Sequence, residues 1–320
     1  MPAACRVIRL IGAPADMGAG VRGASMGPQA LRVAGLASAL RSQGWPVVDG
    51  GDLTGPPHPA DAPERSDVAA ASPGSASGPA ARHLPQVVAW NRAVFGAVGE
   101  ALSAGHLPLL VGGDHALAIG SISAVAAHCR RQGRALRVLW LDAHTDVNTE
   151  ATSPSGNMHG MPVACLLGYG PSDLTGWSGA PAALRPSELA FIGIRSIDPD
   201  EQLAIRQLGL RVFDMRHLDA QGMRNTVTEA LLGLEGDAHL HLSLDLDCLD
   251  PVDAPGVGTP VRGGPTWREM QHCMAMIAET GCLGSVDVME LNPARDTANQ
   301  TAVLAVDLLR SALGVCLPVG

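Results

Sequence analysis

The chain has 320 residues, 46% hydrophobic and 17% charged, with a net charge of −9. A chain of this size buries roughly three quarters of its extended surface, enough for a substantial core in one large α/β domain or two small ones. The negative balance argues against a general nucleic-acid binder and gives a weak preference for a cationic substrate. No apolar run approaches the ~18 residues that a membrane span requires.

In chain order, residues 6–12 predict a first strand. A Gly-rich stretch follows, and Pro28 then sits at the first turn of a helix running to about Gly44. Residues 46–49 predict a short strand. The segment from about 54 to 84 is rich in Pro, Ala, Gly and Ser and reads as an insertion in one domain spanning 1–320, not as a domain boundary. A helix over 87–104 leads into a regular alternation. Strands are expected at 107–111, 137–141, 189–194, 210–213, 239–245 and 282–288, and helices at 115–131, 160–168, 199–208, 221–234, 265–280 and 297–314. Alternating β and α elements predict a three-layer αβα fold with a mostly parallel central sheet. In such sheets ligands bind beyond the carboxyl ends of the strands.

The seven Cys (5, 129, 165, 248, 273, 282 and 316) are odd in number and include no CxxC. They read as reduced thiols of a cytoplasmic protein. The N-terminus lacks the apolar stretch of a signal peptide. All 22 positive side chains are Arg, which reads as compositional bias.

Three strand ends carry chemistry. Residues 137–141 run into Asp142-Ala-His144-Thr-Asp146, and residues two apart in an extended segment share a side, so these three side chains can converge. Residues 241–244 lead in the same way into Asp245 and Asp247. The apolar run 109–111 breaks at Gly112-Gly113 and then presents His115. The bland reading of any one of these is a loop with helix-capping aspartates. Together they offer four carboxylates and two imidazoles, which repel unless cations lie between them. One divalent ion cannot use six such ligands; two ions sharing bridging carboxylates can. Oxygen-rich sites with some imidazole suit Mn(II), with Fe(II) or Co(II) possible. Two metals about 3.5–4 Å apart can turn water into hydroxide near neutral pH, so the chemistry implied is hydrolysis.

The blocks 112–115, 142–149, 155–160, 243–247 and 289–293, in this order, resemble the ureohydrolase family, and within it the bacterial-type arginases. The resemblance extends over nearly the whole chain outside the insertion. It implies an arginase-like fold and Mn-dependent hydrolysis of L-arginine to L-ornithine and urea. One Mn(II) would be held by His115, Asp142, Asp146 and Asp245. The other would be held by Asp142, His144, Asp245 and Asp247. Asp146 would move a proton, His159 would shuttle protons, and Glu290 would pair with the guanidinium group. Asn148, Ser155 and Asn157 would bind the α-carboxylate, Asp198 and Glu201 would face the α-ammonium, and Thr259 would line the site. Asp198-Pro199 with Glu201 is also a helix capping box in form, and both roles can hold. Ser196 and Cys248 depart from the family pattern. The resemblance further implies a homo-oligomer, hexamer or trimer, with Arg268 and Glu269 as a charged pair at subunit contacts or simply a solvated helix start.

The nearest competing reading is an agmatinase or guanidinobutyrase of the same family. A zinc deacetylase-like enzyme would need one ion and fewer acids, and a catalytically dead scaffold would not need both His159 and Glu290.

Overall fold

The computed structural model describes residues 5–61, 81–234 and 236–316. Most of the insertion expected at 54–84 therefore lies outside the described residues. Its start closes with a 3-10 turn at Pro59–Asp61, and Trp90 Nε1 donates to the Pro56 carbonyl at 3.0 Å.

Strands buried on both faces read as near-continuous apolar runs. That is the pattern of β3 (Leu107–Gly112), β4 (Leu136–Leu141) and β5 (Leu189–Ile194). With β1 (Ile8–Ala13), β2 (Val47–Asp52), β6 (Arg211–Asp214), β7 (His239–Asp245) and β8 (Leu283–Met289) they form one eight-stranded sheet in the order β2-β1-β3-β8-β7-β4-β5-β6. Every strand pairing in it is parallel, where the sequence led us to expect only mostly parallel.

Two hydrophobic clusters fill the two faces of the sheet. Alternation along a strand sends Leu107 and Leu109 into one and Leu110 into the other. One cluster is closed by α1 (Gly27–Val33), α2 (Leu36–Ser42), α7 (Met215–Ala230), α8 (Trp267–Glu279) and α9 (Gln300–Leu313). The other is closed chiefly by α3 (Leu84–Ser103), α4 (Ala118–Gln132) and α5 (Pro162–Leu166), with the partly buried side of α6 (Pro199–Leu208).

Several boundaries differ from the expected ones. The single helix expected over 28–44 is two, because Gly35 adopts φ 82° between α1 and α2, a left-handed conformation that costs glycine little. The helix expected from 221 begins at Met215, where Asp214 caps it by accepting from the His217 N–H, and Gly222 kinks it. In α8 the Glu269 carboxylate accepts from Thr266 N and Oγ1 at 2.8 Å each, so the acid of the expected contact pair serves its own helix.

The expectation of seven reduced thiols is corrected: Cys5 and Cys316 form a disulfide, with their Cα atoms 5.9 Å apart. No local spacing could have signalled it, since 311 positions separate them in sequence. The tail folds back onto the turn after α2, where Cys316 N donates to the Gln43 carbonyl and Trp45 Nε1 to that of Gly314. Of the five free cysteines only Cys282 is not buried. Burial pushes the Cys248 thiol well above its ordinary range, which makes it a poor nucleophile. A disulfide-exchange reagent is therefore expected to titrate one thiol in the native protein and five after denaturation without reductant. Rapid labelling of Cys248 in the native state would contradict this packing.

Candidate metal centre

The strand order decides where the ligands meet. β7 and β8, late in the chain, insert between β3 and β4. The segments that leave β3, β8, β7, β4 and β5 thus emerge side by side at one edge of the sheet. They carry, in that order, His115, Glu290, Asp245 with Asp247, Asp142 to Asp146, and Asp198 with Glu201.

The first of these turns needs glycine. At Gly113 a Cβ would lie 1.5 Å from the Ala15 carbonyl oxygen, and the Gly113 and Asp114 amides donate to the Ala13 and Ala15 carbonyls. The chain crosses too close to its neighbour for any side chain, and this close approach aims His115 inward. Asp114 turns away from the cleft: its carboxylate accepts from Gly18 N and Ala116 N.

His115 Nδ1 lies 3.0 Å from Asp245 Oδ2, 3.1 Å from Asp142 Oδ2 and 3.5 Å from Asp146 Oδ2. His144 Nδ1 lies 3.0 Å from Asp247 Oδ2 and 3.4 Å from Asp142 Oδ1. Two ligand triads result, His115/Asp142/Asp245 and Asp142/His144/Asp247, which share Asp142. The groups behind them set ring and carboxylate orientation. His115 Nε2 is 2.9 Å from Ser243 Oγ, Trp140 stacks on the His115 ring at 4.1 Å, and Trp140 Nε1 donates to Asp142 Oδ2. Asp247 Oδ1 accepts from Ala143 N at 3.1 Å, and its Oδ2 from the Thr259 hydroxyl at 3.0 Å.

The electrostatics call for cations. Burial and the facing Asp142 push Asp146 well above the carboxylate range. Burial, Asp247 and Asp142 do the same to Asp245. Asp247 is raised by burial and by Asp142. Acids placed like this hold protons unless metal ions replace them. Burial alone would lower both histidines, but the surrounding carboxylates outweigh it and hold His144 up at about 12. Nitrogen and oxygen donors without thiolate, in two triads joined by a carboxylate, fit a pair of divalent ions. Saturation with such an ion at about 1,000 times its Kd adds roughly 4 kcal/mol, a rise in Tm of about 8 °C at ~2 °C per kcal/mol. Thermal unfolding with Mn(II) and with chelator is expected to show that difference, and an unchanged Tm would exclude a bound cation.

A cleft of roughly 180 Å³ opens over the triads. It is lined by every site residue proposed from the sequence except Asp142, which is completely buried beneath it. Asp146 and Glu290 both take left-handed backbone angles, φ 51° and 63°. Such strain in a side-chain-bearing residue persists only where surrounding contacts hold it. For Glu290 these are its N–H to the Gly113 carbonyl and its Oε1, which accepts from His115 N and lies 3.0 Å from His159 Nδ1. Burial would raise Glu290 and lower His159, but their pairing reverses both shifts.

On the far rim, Asn148 Nδ2 donates to Asp198 Oδ2 at 3.0 Å. Ser155, Asn157 and Ser196 also line this rim. Glu201 differs from the picture drawn from sequence. Its carboxylate already accepts from Thr145 Oγ1, Val147 N and Asp198 N, so its bonds tie together the two loops that carry Asn148 and Asp198.

The chain as a whole matches the model of the arginase family over residues 6–314. It is 42% identical over 308 residues to the arginase of Bacillus caldovelox, which covers 96% of this chain and 98% of that one.

This chain belongs to the arginase family.

The solved structures agree. The crystal structure of arginase from Bacillus subtilis superposes with a TM-score of 0.85 at 38% identity, covering 97% of this chain and 99% of its own. The arginase of Entamoeba histolytica, crystallised in complex with L-ornithine, gives 0.82 at 28% identity over 98% of this chain and all of that one. Both share the fold that holds the two triads of this arginase-family chain.

Sequence reading missed one set of polar residues in this family member. His239, His241, Ser243 and Asp245 alternate along β7 and share one face, while Leu240, Leu242 and Leu244 fill the hydrophobic cluster on the other. His239 Nε2 and His241 Nδ1 each lie 2.8 Å from Ser285 Oγ, and Ser121 donates to Asp287 Oδ1 at 2.6 Å. The alternation of polar residues along β7 carries the signal for this set.

Proposed function

We propose that this chain hydrolyses the guanidinium group of L-arginine, giving L-ornithine and urea, with two Mn(II) ions per subunit. The observation that carries the reading is the pair of buried ligand triads sharing Asp142 under a polar cleft. The family membership narrows it to a guanidinium substrate.

Bound in the triads, the cations would supply a hydroxide nucleophile near neutral pH and electrostatic stabilisation of developing charge. The protein's own groups do the rest. Asp142 is common to both triads, and Asp245 would join it in holding the two cations. Glu290 accepts N–H bonds from the planar guanidinium and holds its carbon over the triads. Attack at that carbon forms a C–O bond. Asp146 takes the nucleophile's proton and passes it to the departing nitrogen as the C–N bond breaks. His159, between Glu290 and the cleft, carries the protons exchanged with solvent, a task suited to imidazole. Asn148, Ser155 and Asn157 offer neutral donors to the α-carboxylate, and Asp198 accepts from the α-ammonium. Glu201 serves the ammonium through the loops it ties together.

The residues named for the α-carboxylate favour arginine over agmatine, which lacks that group. Urea release from both substrates, after loading with Mn(II), Co(II) or Zn(II), tests the reading. Faster turnover of agmatine would overturn the substrate assignment, and one Zn per chain would overturn the dinuclear one. We further place the protein in the cytoplasm as a homo-oligomer, hexamer or trimer. The five free thiols support the compartment and the likeness to bacterial arginases supports the assembly, and sedimentation of the native protein measures the assembly state. No helix of the described residues is long and apolar enough to cross a membrane.

A further inference from the structure

Arg195 follows β5 directly and bonds to no ligand side chain of either triad, yet its half-buried guanidinium makes six hydrogen bonds. All of them go to main-chain carbonyls. Nε donates to Val261 O at 3.1 Å, and Nη1 to Gly193 O at 3.0 Å and Cys248 O at 2.8 Å. Nη2 donates to Asp247 O at 2.8 Å, Leu249 O at 3.0 Å and Val261 O at 2.7 Å. The backbone at the same point binds the other ligand loop, since Arg195 N and Ser196 N both donate to the Ala143 carbonyl at 2.9 and 3.0 Å.

These partners converge on one metal ligand. Residues Leu246–Cys248 form a 3-10 turn after β7, and its terminal carbonyls have no partner within the turn. The guanidinium supplies those partners for Asp247, Cys248 and Leu249. Val261 lies two positions after Thr259, whose hydroxyl holds Asp247 Oδ2, and Ala143 donates its N–H to Asp247 Oδ1. One planar fork therefore fixes the backbone of Asp247 and the loop that carries the Thr259 contact to its carboxylate. Its own main chain fixes the loop that carries the other contact. A Cβ on Gly264 would lie 2.6 Å from Nη2, so the neighbouring loop is shaped around the fork as well.

We propose that Arg195 is a positioning residue for the cation held by the Asp142/His144/Asp247 triad, and that it leaves the cation at His115/Asp142/Asp245 largely unaffected. The proposal rests on the dinuclear reading given above. His115 and Asp245 are oriented by other means: the Gly113 crossing, Ser243, Trp140 and the end of β7. Lysine cannot replace the fork, because an ammonium has three donors on a flexible stem and cannot span five carbonyls in one plane.

The test uses full-length wild type, Arg195→Lys and Arg195→Met, stripped with chelator and titrated with Mn(II) by calorimetry and by electron paramagnetic resonance. Wild type is expected to take up two ions per chain and show the spectrum of a coupled pair. In Arg195→Lys one of the two ions is expected to bind within about threefold of wild type and the other about 10–100-fold more weakly, the usual effect of losing a group that orients a ligand. The coupled spectrum should then appear only at high Mn(II). Should Arg195→Met fail to fold, the Arg195→Lys comparison carries the result alone. Equal affinities in Arg195→Lys and wild type overturn the positioning role and leave the dinuclear site standing. Equal weakening of both ions with a lowered Tm of the metal-free protein means a structural role only, which also overturns it. A wild-type chain that takes up a single ion overturns the dinuclear reading itself, and the assignment of Arg195 to one of two ions falls with it.

Discussion

Replacing Asp245 by Asn is expected to lower urea release from arginine by about 10³-fold or more. Loss of metal-assisted charge stabilisation removes several kcal/mol from the transition state, and each 1.36 kcal/mol is a factor of ten. Asp245 stands at the centre of the cluster, against His115 and next to Asp142 and Asp247. An amide there offers one neutral oxygen where the proposed bridge needs two anionic ones. Metal analysis after gel filtration is expected to find fewer than two ions per chain. The stability of the variant separates this from simple unfolding. Burial, Asp247 and Asp142 raise the wild-type Asp245 well above its unfolded value. A raised acid loses stability as pH climbs from the ordinary carboxylate range towards its folded pKa, because the unfolded state ionises first. In the metal-free state at neutral pH the Asn variant, which does not ionise, should therefore be at least as stable as wild type. It should lose only the rise in Tm on adding Mn(II). A metal-free variant much less stable than metal-free wild type would mean that Asp245 matters for folding and not for cations.

Asn148→Ala addresses the choice of substrate. Hydrogen bonds to a charged group contribute about 1.5–3 kcal/mol, so loss of the Asn148 donor should reduce kcat/KM for arginine by roughly 10–100-fold. Agmatine has no α-carboxylate and should be turned over within about threefold of its rate with wild type. The Asn148 side chain donates to Asp198 and accepts from the Thr152 hydroxyl, so the variant also frees Asp198. That change bears on the amine common to both substrates and cancels in their ratio. An equal fall for arginine and agmatine would remove Asn148 from carboxylate recognition. Ser196, on the same rim, adds no charge there.

Much of this was readable in the chain, and the misses have identifiable causes. The alternation of elements and the positions of strands at 107–111, 137–141, 189–194 and 239–245 follow from local periodicity. The structure places β3, β4, β5 and β7 within a residue of those bounds. The break at Gly35 was missed because apolar spacing continues across it and only the backbone angle changes. The start of α7 was missed because its first turns carry few apolar residues, and the cap at Asp214 supplies the signal instead. The Cys5–Cys316 pair joins the two ends of the chain, a contact that no window of sequence contains. Glu201 was assigned to the substrate from its place in a motif. Its bond to Asp198 N is the capping box expected from the sequence, but those to Thr145 Oγ1 and Val147 N became visible only when β4 and β5 lay side by side.

By itself the sequence determined which residues stand at strand ends and which face they take. Side-chain direction in a strand has period two, which puts His239, His241, Ser243 and Asp245 on one face of β7. Asp142, His144 and Asp146 lie past the end of β4 in a bend where Asp146 takes φ 51°, so the fold and not strand periodicity makes them converge. It also determined the ligand chemistry, since oxygen and imidazole donors without paired thiols already select the class of metal. Only the tertiary structure decided which strand ends are neighbours. β7 and β8 lie about a hundred residues or more beyond β3 and β4 in the chain and yet insert between them. That order is set by the packing of helices on two faces of the sheet, a sum of long-range contacts. It makes two triads out of separate motifs, and it brings the Arg195 guanidinium, an ordinary residue after a strand, within reach of carbonyls from position 193 to position 261.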